Sequence, residues 1–83
     1  ITQNLNIDII KIYKEEQVFL ILDSLKKGNP ILVNLDETKE NINLMKIIIG
    51  NIQAGAYALN SKRYSLSETY ILFAPCNISI AEL

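Results

Sequence analysis

Residues 42–52 read Ile-Asn-Leu-Met-Lys-Ile-Ile-Ile-Gly-Asn-Ile, and this run constrains the chain most. Read as part of a helix over residues 38–53, it places Ile42, Met45, Ile49 and Ile52 on one face. Leu44, Ile47 and Ile48 spread around the rest. A helix that is apolar on more than one side is buried on more than one side. The whole chain has 83 residues, enough for one domain spanning 1–83 and one modest core. It offers too little other material to cover that helix all round. Two outcomes compete. The helix lies beneath a sheet as a broad core element, or a second copy covers it; a symmetric homodimer is the expectation.

Composition sharpens this. There are 15 Ile and 11 Leu but only six aromatics. Nine Asn and seven Lys accompany them, a bias that AT-rich codons favour. At 49% apolar and 20% charged, the chain is a folded one. With no His it lacks the commonest general base and metal ligand. Cys76 stands alone, so it forms no intrachain disulfide and no Cys-based metal site. A net charge of −1 advertises no nucleic-acid surface. No apolar run approaches the ~20 residues of a membrane span.

Residues 7–12 alternate apolar and polar as a half-buried strand. Residues 14–27 form the first helix. Glu15 and Glu16 suit its first turn, Lys26 and Lys27 its last, and Gly28 stops it. Val18, Ile21, Leu22 and Leu25 share one face, and Phe19 and Leu20 widen the stripe. After the Gly28-Asn29-Pro30 turn, Ile31–Leu35 reads as a central strand covered on both faces. Asp36-Glu37-Thr38 offers two N-caps for the second helix, with acidic residues in its first turn. Ala54-Gly55-Ala56 breaks its pattern, and Tyr57–Leu59 begins a strand. Residues 60–63 are turn-like, and Tyr64–Leu66 adds a brief strand. Thr69–Ala74 is a strong strand ended by Pro75, and Asn77–Ile80 is an edge strand. The predicted order is β-α-β-α-β-(β)-β-β. It describes an α/β (α+β) sandwich, a mixed sheet of about five strands with two helices packed on it.

Apparatus for catalysis is thin. Glu15-Glu16 and Asp36-Glu37 each start a helix, where the dipole explains them. Cys76 and the serines have no histidine to activate them. Three scattered glycines make no phosphate loop. Asn77-Ile78-Ser79 has the wording of a glycosylation acceptor, with no secretory signal to support it. Lys62-Arg63-Tyr64 is a single cation–aromatic cluster. It reads as a turn or as the rim of a peptide site rather than as a nucleic-acid surface.

The ordered set of segments resembles a known family. Gln53–Asn60, then Ser67–Pro75 with Asn77 and Ile78, are similar to the core domain of the SepF family of division proteins. Upstream, Tyr13 with Gln17, the helix to Lys27 and Pro30–Leu35 continue the match, which covers about residues 7–80. The Ala-Gly-Ala-Tyr-Ala wording is closest to cyanobacterial members. With the codon bias, that suggests a plastid-encoded copy. The chain departs from the family's pattern at Gly50 and Asn51, where Asp-Phe is common. It also departs at Ala54 for a glycine, at Ser65 for a basic residue and at Ile71 for an aromatic.

The resemblance implies a non-enzymatic adaptor without cofactor or metal. Its core dimerises and binds the C-terminal tail of FtsZ. An N-terminal amphipathic helix, for which residues 1–6 are too short, holds it on the membrane. Its place is the division site, in cytoplasm or plastid stroma. The expected peptide site is Arg63, Tyr64, Leu66, Ile71 and Phe73. The expected dimer interface is Ile48, Ile52, Ala54 and Gly55, where small side chains let backbones approach. A different class remains open on the residues alone. A small α/β domain can be a ligand-sensing regulatory module, with Gly28-Asn29 or Ala54-Gly55 beside a small-molecule pocket.

Overall fold

Gln17 decides how the first strand becomes the first helix. In the computed structural model, which describes residues 7–78, strand β1 (Asp8–Lys11) runs into a short 3₁₀ turn (Glu15–Gln17) and then helix α1 (Val18–Lys26). The Gln17 side chain joins all three. Its Oε1 accepts from the Tyr13 and Lys14 backbone N–H groups (2.7 and 3.1 Å), and its Nε2 donates to the Lys11 carbonyl (3.2 Å). Helix α1 ends as predicted. Gly28 takes the left-handed conformation (φ 85°). Its N–H donates to the Leu25 carbonyl, and the Asn29 N–H donates to the Ser24 carbonyl, so two otherwise orphaned acceptors are satisfied.

Strand β2 (Ile31–Asn34) lies parallel to β1, so α1 is the crossover between them. A tight turn follows, with the buried Thr38 hydroxyl donating to the Leu35 carbonyl at 3.0 Å. Helix α2 (Ile42–Ala58) starts later than expected. Its N-cap is Asn41, whose side chain accepts from the Leu44 N–H at 3.1 Å. It also ends later. Tyr57–Leu59 is the last of α2 and its cap, not a strand. The stop is Asn60, left-handed at φ 57°, with the same pair of terminal hydrogen bonds that Gly28 organises: Asn60 N–H to Tyr57 and Ser61 N–H to Ala56. The predicted turn at 60–63 is therefore half strand. β3 is Lys62–Ser65, and β4 is Tyr70–Ala74.

The sheet order is β1-β2-β4-β3, with β4 antiparallel to both neighbours. Both helices cover the same face. Ile31 and Val33 of β2 and Ile71 and Phe73 of β4 point into that layer. They meet Val18, Ile21 and Leu25 of α1 and Ile48, Ile52 and Ala56 of α2 in one buried cluster. Ser24 on α1 donates to Asp8 on β1 at 2.8 Å and ties helix to edge. Four strands are described, against about five expected. Asn77 lies in a turn and Ile78 in coil, and the rest of the expected Asn77–Ile80 strand lies outside the described residues.

The Ala-Gly-Ala patch does not break α2. It lets the two helices approach. A Cβ on Gly55 would stand 2.5 Å from both Leu22 methyls, so any larger residue there requires the Leu22 side chain to move. At Gly50, in mid-helix, a Cβ would meet nothing within 4 Å. The helix passes through Gly50 because its neighbours are anchored in the core on both sides, at Ile48 and Ile52.

Candidate functional site

The five residues expected at a peptide site fall on two surfaces. Arg63 and Tyr64 lie on β3, and Leu66 follows it, largely exposed. Ile71 and Phe73 are on β4, but on its helix-covered face, where they are only 3% and 1% exposed. They cannot line an open groove without removal of the helices above them. This corrects the expected site. The residues of β4 that share a face with Tyr64 are those of opposite parity, and Tyr64 pairs with Leu72.

Register builds an open face from there. Tyr64 opposes Leu72, Leu72 opposes Leu32, and Leu32 opposes Ile9. Opposed residues share a face, so these four side chains form a row across all four strands. Ile9 is 72% exposed, and the other three are half-buried. The next row holds Lys11, Asn34 and Tyr70. Asn34 Nδ2 donates to the Tyr70 hydroxyl at 3.2 Å, and Asn34 Oδ1 accepts from the Asp36 N–H at 2.9 Å. Lys11 reaches Glu37 at 3.7 Å. The sequence hid this face. Tyr70-Ile71-Leu72-Phe73 is apolar at every position, so alternation cannot say which parity points to the helices.

The expected dimer residues divide in the same way. Ile48 and Ile52 are fully buried in the protomer's own core and present no surface to a second copy. Gly55 faces Leu22 of α1. Ala54 alone of the four is exposed. The outer surface of the helical layer carries instead Phe19 and Leu20 of α1 and Ile42, Ile47 and Tyr57 of α2, all substantially exposed.

Polar chemistry is sparse. Among the described residues, no group of three or more His, Cys, Asp or Glu gathers. Cys76 is exposed. The Lys27 ammonium is held above its usual pKa by its hydrogen bond to Asp23 (2.9 Å) and by that carboxylate's charge. Among the described residues, neither Lys62 nor Arg63 takes part in an ion pair, and the Arg63 Nε donates to the Ser65 hydroxyl at 3.2 Å.

Fold and surface together define a two-layer α/β domain whose helices shield one sheet face and whose other face and outer helical surface stay apolar and open. Residues 7–80 match the family described as Cell division protein SepF, and the chain belongs to that family. A curated relative, the Cell division protein SepF of Pelotomaculum thermopropionicum, is 35% identical over 66 residues. That match covers 80% of this chain but 43% of the relative, so the chain spans less than half the relative's length. Solved structures share the fold. A SepF-like protein from Pyrococcus furiosus superposes with a TM-score of 0.82 at 23% identity, covering 96% of this chain and 98% of its own. SepF from Methanobrevibacter smithii in complex with FtsZ-CTD gives 0.79 at 19% identity, over 93% and 98%.

Proposed function

We propose that this chain is the core of a cell-division adaptor that dimerises, binds the C-terminal tail of FtsZ and tethers the division ring to the membrane. Family membership over residues 7–80 carries the reading. The complex of the Methanobrevibacter smithii protein with FtsZ-CTD supports the choice of partner. The surface fits such a role, because two apolar faces and a cationic strand can hold other chains without any catalytic group. No helix among the described residues is long and apolar enough to cross a membrane. Attachment in this reading falls to the amphipathic helix that the family resemblance implies.

Two weak tail sites on one dimer would engage a filament that presents many tails, and effective concentration raises avidity without new contacts. The tail site is proposed at Arg63, Tyr64 and Leu66, with Leu72 taking the place first expected of Ile71 and Phe73. The self-interface is proposed on the outer helical surface around Ala54, with Ile47 in place of Ile48 and Ile52. Titration of labelled FtsZ tail peptide onto the wild type and onto Arg63→Glu and Tyr64→Ala tests the tail site. Saturable binding weakened by both variants is expected, and unchanged affinity for both would move the site elsewhere. Sedimentation of wild type and Ala54→Lys tests the dimer. A wild type that stays monomeric at high micromolar concentration would refute it.

A further inference from the structure

Residues 62–66 read Lys-Arg-Tyr-Ser-Leu, with two cations ahead of a serine and an apolar residue just after it. Carboxylate-lined pockets of a serine kinase suit such cations, and an apolar pocket suits the residue that follows. Short runs of this kind recur by chance, and the fold supplies the discrimination. A kinase takes its target as an extended, uncovered segment. Lys62–Ser65 is already extended, as strand β3 at the sheet's edge. The Leu66 N–H donates to the Tyr70 carbonyl at 2.9 Å, so 66 with 70, 64 with 72 and 62 with 74 are its bonded pairs. The backbone groups of Arg63 and Ser65 therefore point away from β4, and among the described residues β3 pairs with β4 alone. Lys62, Arg63, Ser65 and Leu66 are all exposed. An enzyme can grip this segment from outside with the core undisturbed.

The other described serines are enclosed or engaged. Ser24 is buried and donates to Asp8. The Ser61 hydroxyl oxygen is buried, and the cations follow it rather than precede it. The Ser67 hydroxyl oxygen accepts from the Thr69 and Tyr70 N–H groups at 3.3 and 3.1 Å. Ser65 is open, and its one polar neighbour is cationic. Arg63 and Ser65 lie on the same face of β3, opposite Phe73 and Ile71, and the Arg63 Nε donates to the Ser65 hydroxyl oxygen at 3.2 Å. A phosphate at that oxygen would bring three acceptor oxygens to a guanidinium already beside it. Arginine and phosphate form strong, charge-assisted hydrogen bonds.

We propose that Ser65 is the phosphorylation site of a serine kinase that selects cations before its target, and that the phosphate withdraws Arg63 from the tail site. The Ser65 Oγ forms a bond to the γ-phosphorus of a nucleoside triphosphate. The bond from that phosphorus to the β,γ-bridging oxygen breaks, the nucleoside diphosphate leaves, and the hydroxyl proton passes to the kinase's base. The charges of Lys62 and Arg63 are then offset by a phosphate carrying about −1.5 to −2. The switch rests on the reading that Arg63 holds the FtsZ tail, whereas the modification stands without it.

The 83-residue chain, incubated with Mg-ATP and the catalytic subunit of cyclic-AMP-dependent protein kinase, tests the site, with phosphate located by fragment mass spectrometry. Phosphate is expected on Ser65, with incorporation at least about tenfold slower in a Lys62→Ala, Arg63→Ala variant. Unmodified Ser65, or equal labelling of another serine, overturns the site. The protein isolated from its own dividing cells is mapped in the same way, and Ser65 free of phosphate throughout growth also overturns it. Phosphoserine placed at 65 during synthesis tests the consequence. Its phosphate titrates below the ordinary value of about 6 in a ³¹P spectrum and returns toward it with Arg63→Gln. The phosphorylated chain binds FtsZ tail peptide about tenfold more weakly, as expected for one lost charge-assisted contact. Ser65→Ala binds within about twofold of wild type and resists the kinase. Undiminished tail affinity in the phosphorylated chain overturns the switch. Unmodified wild type that binds no tail overturns the proposed function instead, while the labelling and the ³¹P titration still read the site.

Discussion

The central rows of the sheet's two faces are both largely apolar and behave as opposites. Ile31, Val33, Ile71 and Phe73 are at most 3% exposed, because α1 and α2 lie over them. Leu32 and Leu72, one position away along the same strands, and Tyr64 beside them on β3 are only half-buried because no described element covers them. Apolarity of a side chain therefore says little here about its contribution to stability. Burial against a helix decides that, and the uncovered face is left to meet other molecules.

The largest test of this contrast is a truncation on each face. Phe73→Ala is expected to cost about 3–5 kcal/mol in denaturant unfolding, through lost transfer energy and a cavity. Leu72→Ala, on the open face, is expected to cost about 1 kcal/mol, in line with partial burial. Equal losses would mean that the open face is covered in solution.

The two glycines of α2 extend the comparison to the helical layer. Gly55→Val forces a side chain into the Leu22 methyls and is expected to cost about 1–3 kcal/mol, as overpacking does. The cost should shrink in a Leu22→Ala background, which is the check that the clash is its source. Gly50→Ala adds a methyl where nothing stands within 4 Å and is expected to stabilise by about 1 kcal/mol. A loss at Gly50 instead would show that its open surface is occupied, by a second copy for example.

Smaller effects separate the sheet's edge from its centre. Ser24→Ala removes the hydrogen bond to Asp8 and is expected to cost about 1 kcal/mol. Exchange should rise at the β1 amides before those of β2. Smallest of all is the exposed Asp23–Lys27 pair. Because Lys27 is held above its usual value when folded, its contribution is present below the unfolded pKa. It is lost as pH rises through the folded one. The small stability difference between wild type and Asp23→Asn should therefore be present at neutral pH and vanish in strong alkali. A difference that grows with pH would contradict the pairing.

How far the sequence could be read follows from which interactions are local. The α1 stop was legible because Gly28 is the residue that adopts φ 85° without strain. The α2 stop uses the same hydrogen bonds but places Asn60 at φ 57°, a weaker signal, and the strand propensity of Tyr57 pulled the boundary inward. Ala54-Gly55-Ala56 looked like a break because small residues have no apolar period of their own. Their role appears only when Leu22 of α1 is set against Gly55. Two residues of the candidate site were misplaced for a similar reason. Arg63 and Tyr64 were found from their chemistry. Ile71 and Phe73 were assigned to the wrong face, because a strand apolar at every position carries no parity.

By itself the sequence indicated the two helices, the strands that became β1, β2 and β4, the helix stop at Gly28 and the family pattern over residues 7–80. These depend on propensity, capping and periodicity within a few residues. Tertiary structure alone decided that α2 runs to Ala58 and that Ile48 and Ile52 serve the protomer's own core. It also decided that Leu72 rather than Phe73 shares the open face with Tyr64, and that the Arg63 and Ser65 backbones point outward. Each of those facts depends on register. A shift of one residue exchanges the two faces of a strand, and only the partner strands and the helices packed above them fix it.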